Sequence, residues 1–86
     1  MRKYVIMWNE KNNTIEINPS KSNAGGKSYV IKRDSVVTFE LVSVDHKTMT
    51  TIGGCVEYLA KDLDKEDLIS LASLLYTWGQ YNGARM

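Results

Sequence analysis

Gly26-Lys27-Ser28 is the string closest to known chemistry, because GKS closes the phosphate-binding loop GxxxxGK[ST]. That loop needs a glycine five residues before its second glycine, and a helix after the serine so that amides and the helix dipole meet the phosphates. Lys21 occupies the glycine position and the strand-like SYVIK follows, so the string reads as a solvated loop tip and no nucleotide is expected. His46, the single histidine, lies between Asp45 and Lys47, and the other soft ligand, Cys55, is nine residues on. Two candidates do not make a metal site, and neither is placed as the nucleophile or base of a pair. His46 reads as an exposed turn residue. Cys55 follows Gly53-Gly54 at the start of a helix, where the dipole would lower its pKa, unless it faces the core as Leu59 suggests and serves as a small apolar residue.

Glu57, Asp62, Asp64, Glu66 and Asp67 crowd the junction of two helical segments. Paired catalytic carboxylates need a pocket wall and a raised pKa; these lie in hydrophilic context and read as solvated caps. Gly53-Gly54 costs helix propensity, which points to a close approach of helix to sheet rather than to anion capture. A general base, a metal cluster, a nucleotide loop and a cofactor fingerprint are each lacking, so the expectation is a non-catalytic chain without cofactor or metal.

Two surfaces remain as binding candidates. In DLISLASLLYTW, apolar residues cover well over half the circumference of a helix, more than one sheet face buries. Leu68, Leu71, Ala72 and Leu75 form the natural core stripe, leaving Ile69, Leu74, Tyr76 and Trp78, with Tyr81 beyond, as the expected protein interface. The second candidate sets Tyr4, Trp8 and Tyr29 beside Lys3, Lys32 and Arg33, aromatic platforms on a basic sheet face of the kind that holds single-stranded nucleic acid. A pI near 7.8, with acidic Glu16 and Glu40 sharing the surface, weighs against it.

The elements that position these residues follow from hydrophobic period. KYVIMW (3–8) and TIEIN (14–18) flank the turn-forming NEKNN and read as a hairpin whose first strand is apolar on both faces, one of which must find further cover. SYVIK (28–32) and VVTFELVSV (36–44) read as a second hairpin. Between them PSKSNAGGK (19–27) reads as a mobile loop. From Met49 the spacing of Ile52, Val56, Leu59 and Leu63 signals a helix over 51–62. Asp64 opens a second helix over 65–78, with Gly79 as its left-handed stop. Strands first and helices after predict an α+β domain, a four-stranded antiparallel sheet with two C-terminal helices on one face.

Eighty-six residues with 43% apolar content make one domain over 1–86, too small for a dinucleotide-binding fold and with a thin core of its own. One cysteine cannot form an internal disulfide, no run resembles a signal peptide and none reaches membrane-spanning length, so the expected compartment is the cytoplasm. The net charge of +1 conceals a split: residues 1–47 hold eight basic and five acidic side chains, residues 48–86 three and five. The sequence thus predicts a non-catalytic protein-binding module, a small cytoplasmic adaptor or stoichiometric inhibitor of a larger protein. Its analogues in kind are accessory proteins of phages and mobile elements that occlude a host enzyme. The alternatives are a single-strand-binding sheet and a homodimer joined through the helix flank.

Overall fold

Alternating apolar residues broken by short turn-forming runs produce an antiparallel meander, and the computed structural model contains one. It describes residues 3–35 and 37–85, with the side chains of those up to residue 78. The strands are β1 (Tyr4–Asn9), β2 (Thr14–Pro19), β3 (Tyr29–Arg33), β4 (Phe39–Val42) and β5 (Lys47–Thr50), and the helices α1 (Ile52–Leu59) and α2 (Lys65–Arg85). The strands lie side by side in chain order, every neighbouring pair antiparallel. The chain is α+β with two C-terminal helices after the sheet, as its hydrophobic period predicts, but the sheet has five strands rather than four.

The extra strand arises where one long strand over 36–44 was expected. Val36 lies outside the described residues. After β4 the chain turns at Ser43, whose amide donates to His46 O at 2.7 Å while its hydroxyl reaches Asp45 Oδ1 at 3.3 Å. Ser and Asp favour such turns, and the alternating, Thr-rich KTMT then returns as β5 instead of leading into a helix. At the first hairpin, Asn13 takes the left-handed backbone (φ 57°) that asparagine tolerates.

Thr51 caps α1, its hydroxyl accepting from the Gly54 amide at 3.2 Å. The helix stops at Leu59 rather than continuing to 62, because the amides of Asp62 and Leu63 both turn back to the Leu59 carbonyl. Gly54 answers to close packing against the sheet: a Cβ there would overlap Thr50 Oγ1 and approach Thr50 Cβ to 3.2 Å. Helix α2 runs to Arg85, past the predicted end at 78. No described glycine has positive φ, so Gly79 continues the helix at a cost of about 1 kcal/mol instead of ending it. The 19–27 segment is better fastened than a bare loop: Pro19 belongs to β2, Lys21–Asn23 forms a 3-10 turn, and Lys3 O accepts from the Ser20 amide at 2.8 Å and Asn23 Nδ2 at 3.2 Å.

Both helices cover one face of the sheet. Helix α1 packs over β4 and β5, and α2 against α1 and β1. The core between them contains Tyr4, Ile15, Ile17, Tyr29, Ile31, Phe39 and Leu41 from the strands and Cys55, Leu59, Leu63, Leu71, Leu75 and Trp78 from the helical half. All the strand members share one register parity, so the other parity faces away from the helices.

Candidate functional site

That second face is built from residues with no helix above them. Across the strands the register aligns Met7, Glu16, Val30, Val42 and Lys47 in one row, with Lys32, Glu40 and Met49 in the next and Val5 opposite Asn18 on the other side. Val5, Met7 and Met49 are 47%, 52% and 47% exposed, while Val30 and Val42 are half-buried by their strand neighbours. The polar members partly satisfy one another: Asn9 Nδ2 donates to Glu16 Oε2 at 3.0 Å, and Lys47 Nζ lies 3.7 Å from Glu40 Oε2. The result is an apolar patch from four of the five strands, interrupted by Glu16, Lys32 and the Glu40–Lys47 pair.

Strand β1 contributes most. Its sequence YVIMWN holds no charge, its outward-facing Val5 and Met7 are exposed, and Trp8, though of core parity, is 53% exposed at the sheet margin. Sequence reasoning noted that β1 needs a second cover but missed Val30, Val42 and Met49. The signal was present, since YVIK and FELV carry aliphatic residues at both parities.

The residues expected to bind nucleic acid do not share an exposed face. Tyr4 and Tyr29 point under the helices and are buried, and the Tyr29 hydroxyl donates to Asp62. Arg33 also turns inward, its guanidinium 4.4 Å from the Trp78 ring centroid and its Nη2 donating to Trp78 O at 3.2 Å. Lys32 points to the opposite face and Trp8 stands at the margin. Among the expected protein-interface residues, Ile69 and Tyr76 are exposed and, seven apart, lie on one side of α2. Leu74 packs against the core. Trp78 is buried, its ring 5.8 Å from Phe39 and its Nε1 donating to Asn13 Oδ1 at 3.1 Å. The side chain of Tyr81 lies outside the described residues.

The remaining chemical candidates each meet protein neighbours in this arrangement. Lys27 Nζ pairs with Asp45 Oδ2 at 3.0 Å, which raises the lysine pKa and lowers that of the carboxylate, and a strand follows the GKS string. His46 stacks on Tyr58 with ring centroids 4.7 Å apart, and Lys61 Nζ lies 3.9 Å from the same ring's centroid. Cys55 is fully buried, and burial pushes its thiol up to about 11. Asp67, expected as a solvated cap, is fully enclosed at the first turn of α2. A shallow cleft of about 340 Å³ between β5 and α1 is lined by Thr48, Thr50, Gly54, Glu57, Tyr58 and Lys61. Among the described residues no three His, Cys, Asp or Glu side chains are grouped to hold a metal, and no helix is long and apolar enough to cross a membrane. Searches of protein-family models, curated proteins and solved structures found nothing that matches this chain.

Proposed function

We propose that this chain is a non-catalytic protein-binding module, an adaptor or stoichiometric inhibitor, which engages a larger protein through the open face of its sheet. The observation that carries the reading is the patch of Val5, Met7, Val30, Val42 and Met49 on the face no helix covers. Such a patch, with aliphatic and Met side chains at its centre and charged side chains between them, has the anatomy of a protein interface. A nucleic-acid strand would need stacking rings and an excess of cations there. Instead, Tyr4, Tyr29 and Arg33 lie beneath the helices, and Glu16 and Glu40 share the open face with Lys32 and Lys47.

The test is capture of partners by the immobilised chain, identified by mass spectrometry, alongside two variants. Val42→Lys, at the centre of the open face, is expected to lose the partner, and the I69S/Y76S variant of α2 to keep it. The opposite pattern would transfer the interface to the helix. A labelled oligonucleotide bound at micromolar concentration in physiological salt would favour the single-strand reading instead.

A further inference from the structure

A five-stranded meander has two terminal strands, and here they differ in exposure. Helix α2 packs against β1, where Tyr4 is buried. At the other end Lys47 and Met49 of β5 are both exposed. Hydrogen-bond parity shows which groups β5 presents. Ser43 N donates to His46 O at 2.7 Å, and the register continues with Leu41 opposite Thr48 and Phe39 opposite Thr50. His46, Thr48 and Thr50 therefore occupy the bonded positions toward β4, and the N–H and C=O groups of Lys47 and Met49 point away from the sheet. No described strand pairs on that side.

Those groups border the cleft between β5 and α1. The two elements run in opposite directions, since Gly54 lies against Thr50 and Tyr58 stacks on His46. Met49 lines the cleft beside Thr48 although parity sends its side chain to the open face, so its backbone forms the rim. The Thr48 hydroxyl marks the same rim, reaching Met49 O at 3.4 Å, a long bond that leaves the carbonyl a second lone pair. At about 340 Å³ the cleft falls at the lower end of ligand pockets, roughly 300–1,000 Å³. With unpaired backbone along one wall, it suits an extended peptide better than a compact small molecule. Two cations stand at its His46 end. Lys47 is on the open side, its side chain 70% exposed despite Glu40 at 3.7 Å, and Lys61 is on the helix side, 3.9 Å from the Tyr58 ring centroid.

We propose that β5 takes up an extended peptide segment of a partner protein as a sixth, antiparallel strand, aliphatic where it crosses Met49 and acidic where it crosses Lys47. Each of these crossings exchanges two backbone bonds, and the residue between them turns its side chain into the cleft beside Thr48. Antiparallel order puts the aliphatic residue first and the acids last, against Lys47 and Lys61; the reversed sequence would carry the acids away from both cations. Glu57 faces the same cleft and disfavours an acid at the middle position. The shortness of β5 and its lysine discourage two long edges from joining, but they leave room for a segment of this length. This strand site goes beyond the open-face reading and does not rest on it.

The terminally blocked heptapeptide STIVEES, titrated into the full chain and followed by amide chemical shifts and hydrogen exchange, tests the proposal, with the reversed sequence SEEVITS beside it. STIVEES should bind with a Kd below about 1 mM and protect the Lys47 and Met49 amides, and SEEVITS should bind at least tenfold more weakly. N-methylation of its isoleucine or its first glutamate, which cross Met49 and Lys47, should weaken binding at least tenfold. N-methylation of its valine, whose N–H points away from β5, should not. Met49→Pro, which removes one donor, should weaken binding at least tenfold, and Met49→Leu, which keeps it, should match the parent. Lack of binding at about 1 mM, equal binding of the two sequences, or equal effects of the N-methyl groups would each overturn the proposal. The N-methyl comparison needs no variant protein, so it stands even if Met49→Pro does not fold. Val42→Lys separates the two sites. Partner capture lost with STIVEES still bound supports both; loss of STIVEES binding would move the peptide to the open face and overturn strand addition. Capture unaffected by Val42→Lys would count against the open-face reading alone.

Discussion

The two faces of the sheet carry similar aliphatic side chains in different company. On the covered face Ile15, Ile17, Ile31, Phe39 and Leu41 meet one another and the helical Leu59, Leu71 and Leu75, and almost none of their surface reaches solvent. On the open face Val5, Met7, Val30, Val42 and Met49 alternate with Glu16, Lys32, Glu40 and Lys47. A strand assigns every residue to one face by parity, so apolar residues at both parities commit a sheet to two covers. The described residues supply one of them. The difference teaches that the described helices bury one apolar set, while the other is the set on which the proposed binding function rests.

The largest contrast to test is therefore energetic. Phe39→Ala removes a ring with no solvent exposure that touches Trp78, and should cost about 3–5 kcal/mol of unfolding free energy in a urea titration. Val42→Ala, three residues on but facing outward, should cost below about 1 kcal/mol. Equal losses would mean that the open face is covered in solution.

A second contrast comes from groups that ionise only at the expense of the covered face. Burial raises the pKa of Cys55 to about 11 and, with the hydrogen bond to Asp62 adding to burial, raises that of Tyr29 well above its ordinary value. In the unfolded chain both groups lose their protons near pH 9–10, while the folded chain keeps them. Because the folded state then holds more protons, stability is fully present below pH 9 and falls as pH rises toward 11, by on the order of 2 kcal/mol for the thiol alone. Chemical denaturation at pH 8, 9.5 and 10.5 measures the fall. Cys55→Ala should flatten it, and an unchanged slope in that variant would place the thiol outside the core. Alkylation of Cys55 at pH 8 should accordingly be limited by unfolding.

How far this arrangement could be read from the sequence depends on the element. The four to three spacing of Ile52, Val56, Leu59 and Leu63, and the alternation in TIEIN, are local signals, and they placed α1, β2 and the α+β order. The split of 36–44 was not legible, because β-branched residues run through FELVSV and the turn there is set by a hydrogen bond from Ser43 to His46, a pairing that appears only once β5 folds back. Nor was the fate of Trp78. Its burial depends on Phe39, Arg33 and Asn13, which come from three distant parts of the chain. The open face was half legible: the double-sided apolar character of β1 is local, but the alignment of Met7 with Val30 and Val42 is a matter of register across strands.

Trp78 offers a smaller test on the covered side. Trp78→Phe keeps a ring beside Phe39 and Arg33 but loses the donor to Asn13 Oδ1. The expected loss is about 1 kcal/mol, the usual net contribution of one such bond, and Asn13→Ala in the same background should add little beyond it. A much larger loss in Trp78→Phe would assign the energy to the shape of the indole rather than to its hydrogen bond.

The smallest effect is expected on the outer side of α2, where Ile69 and Tyr76 are exposed by 58% and 52% and lie one above the other. They are the residues for which a helix-centred interface was expected, and they are the sharpest control for the contrast between the two sheet faces. Scattered exposed apolar side chains are ordinary on a protein surface, and two of them about 10 Å apart on a helix do not make a continuous patch. Replacing both in I69S/Y76S should change unfolding free energy by no more than about 0.5 kcal/mol and leave sedimentation and partner capture as in the parent chain. Loss of either association in this variant, with Val42→Lys behaving like the parent, would reverse the assignment: the open sheet face would be bystander surface and the helix would carry the contact.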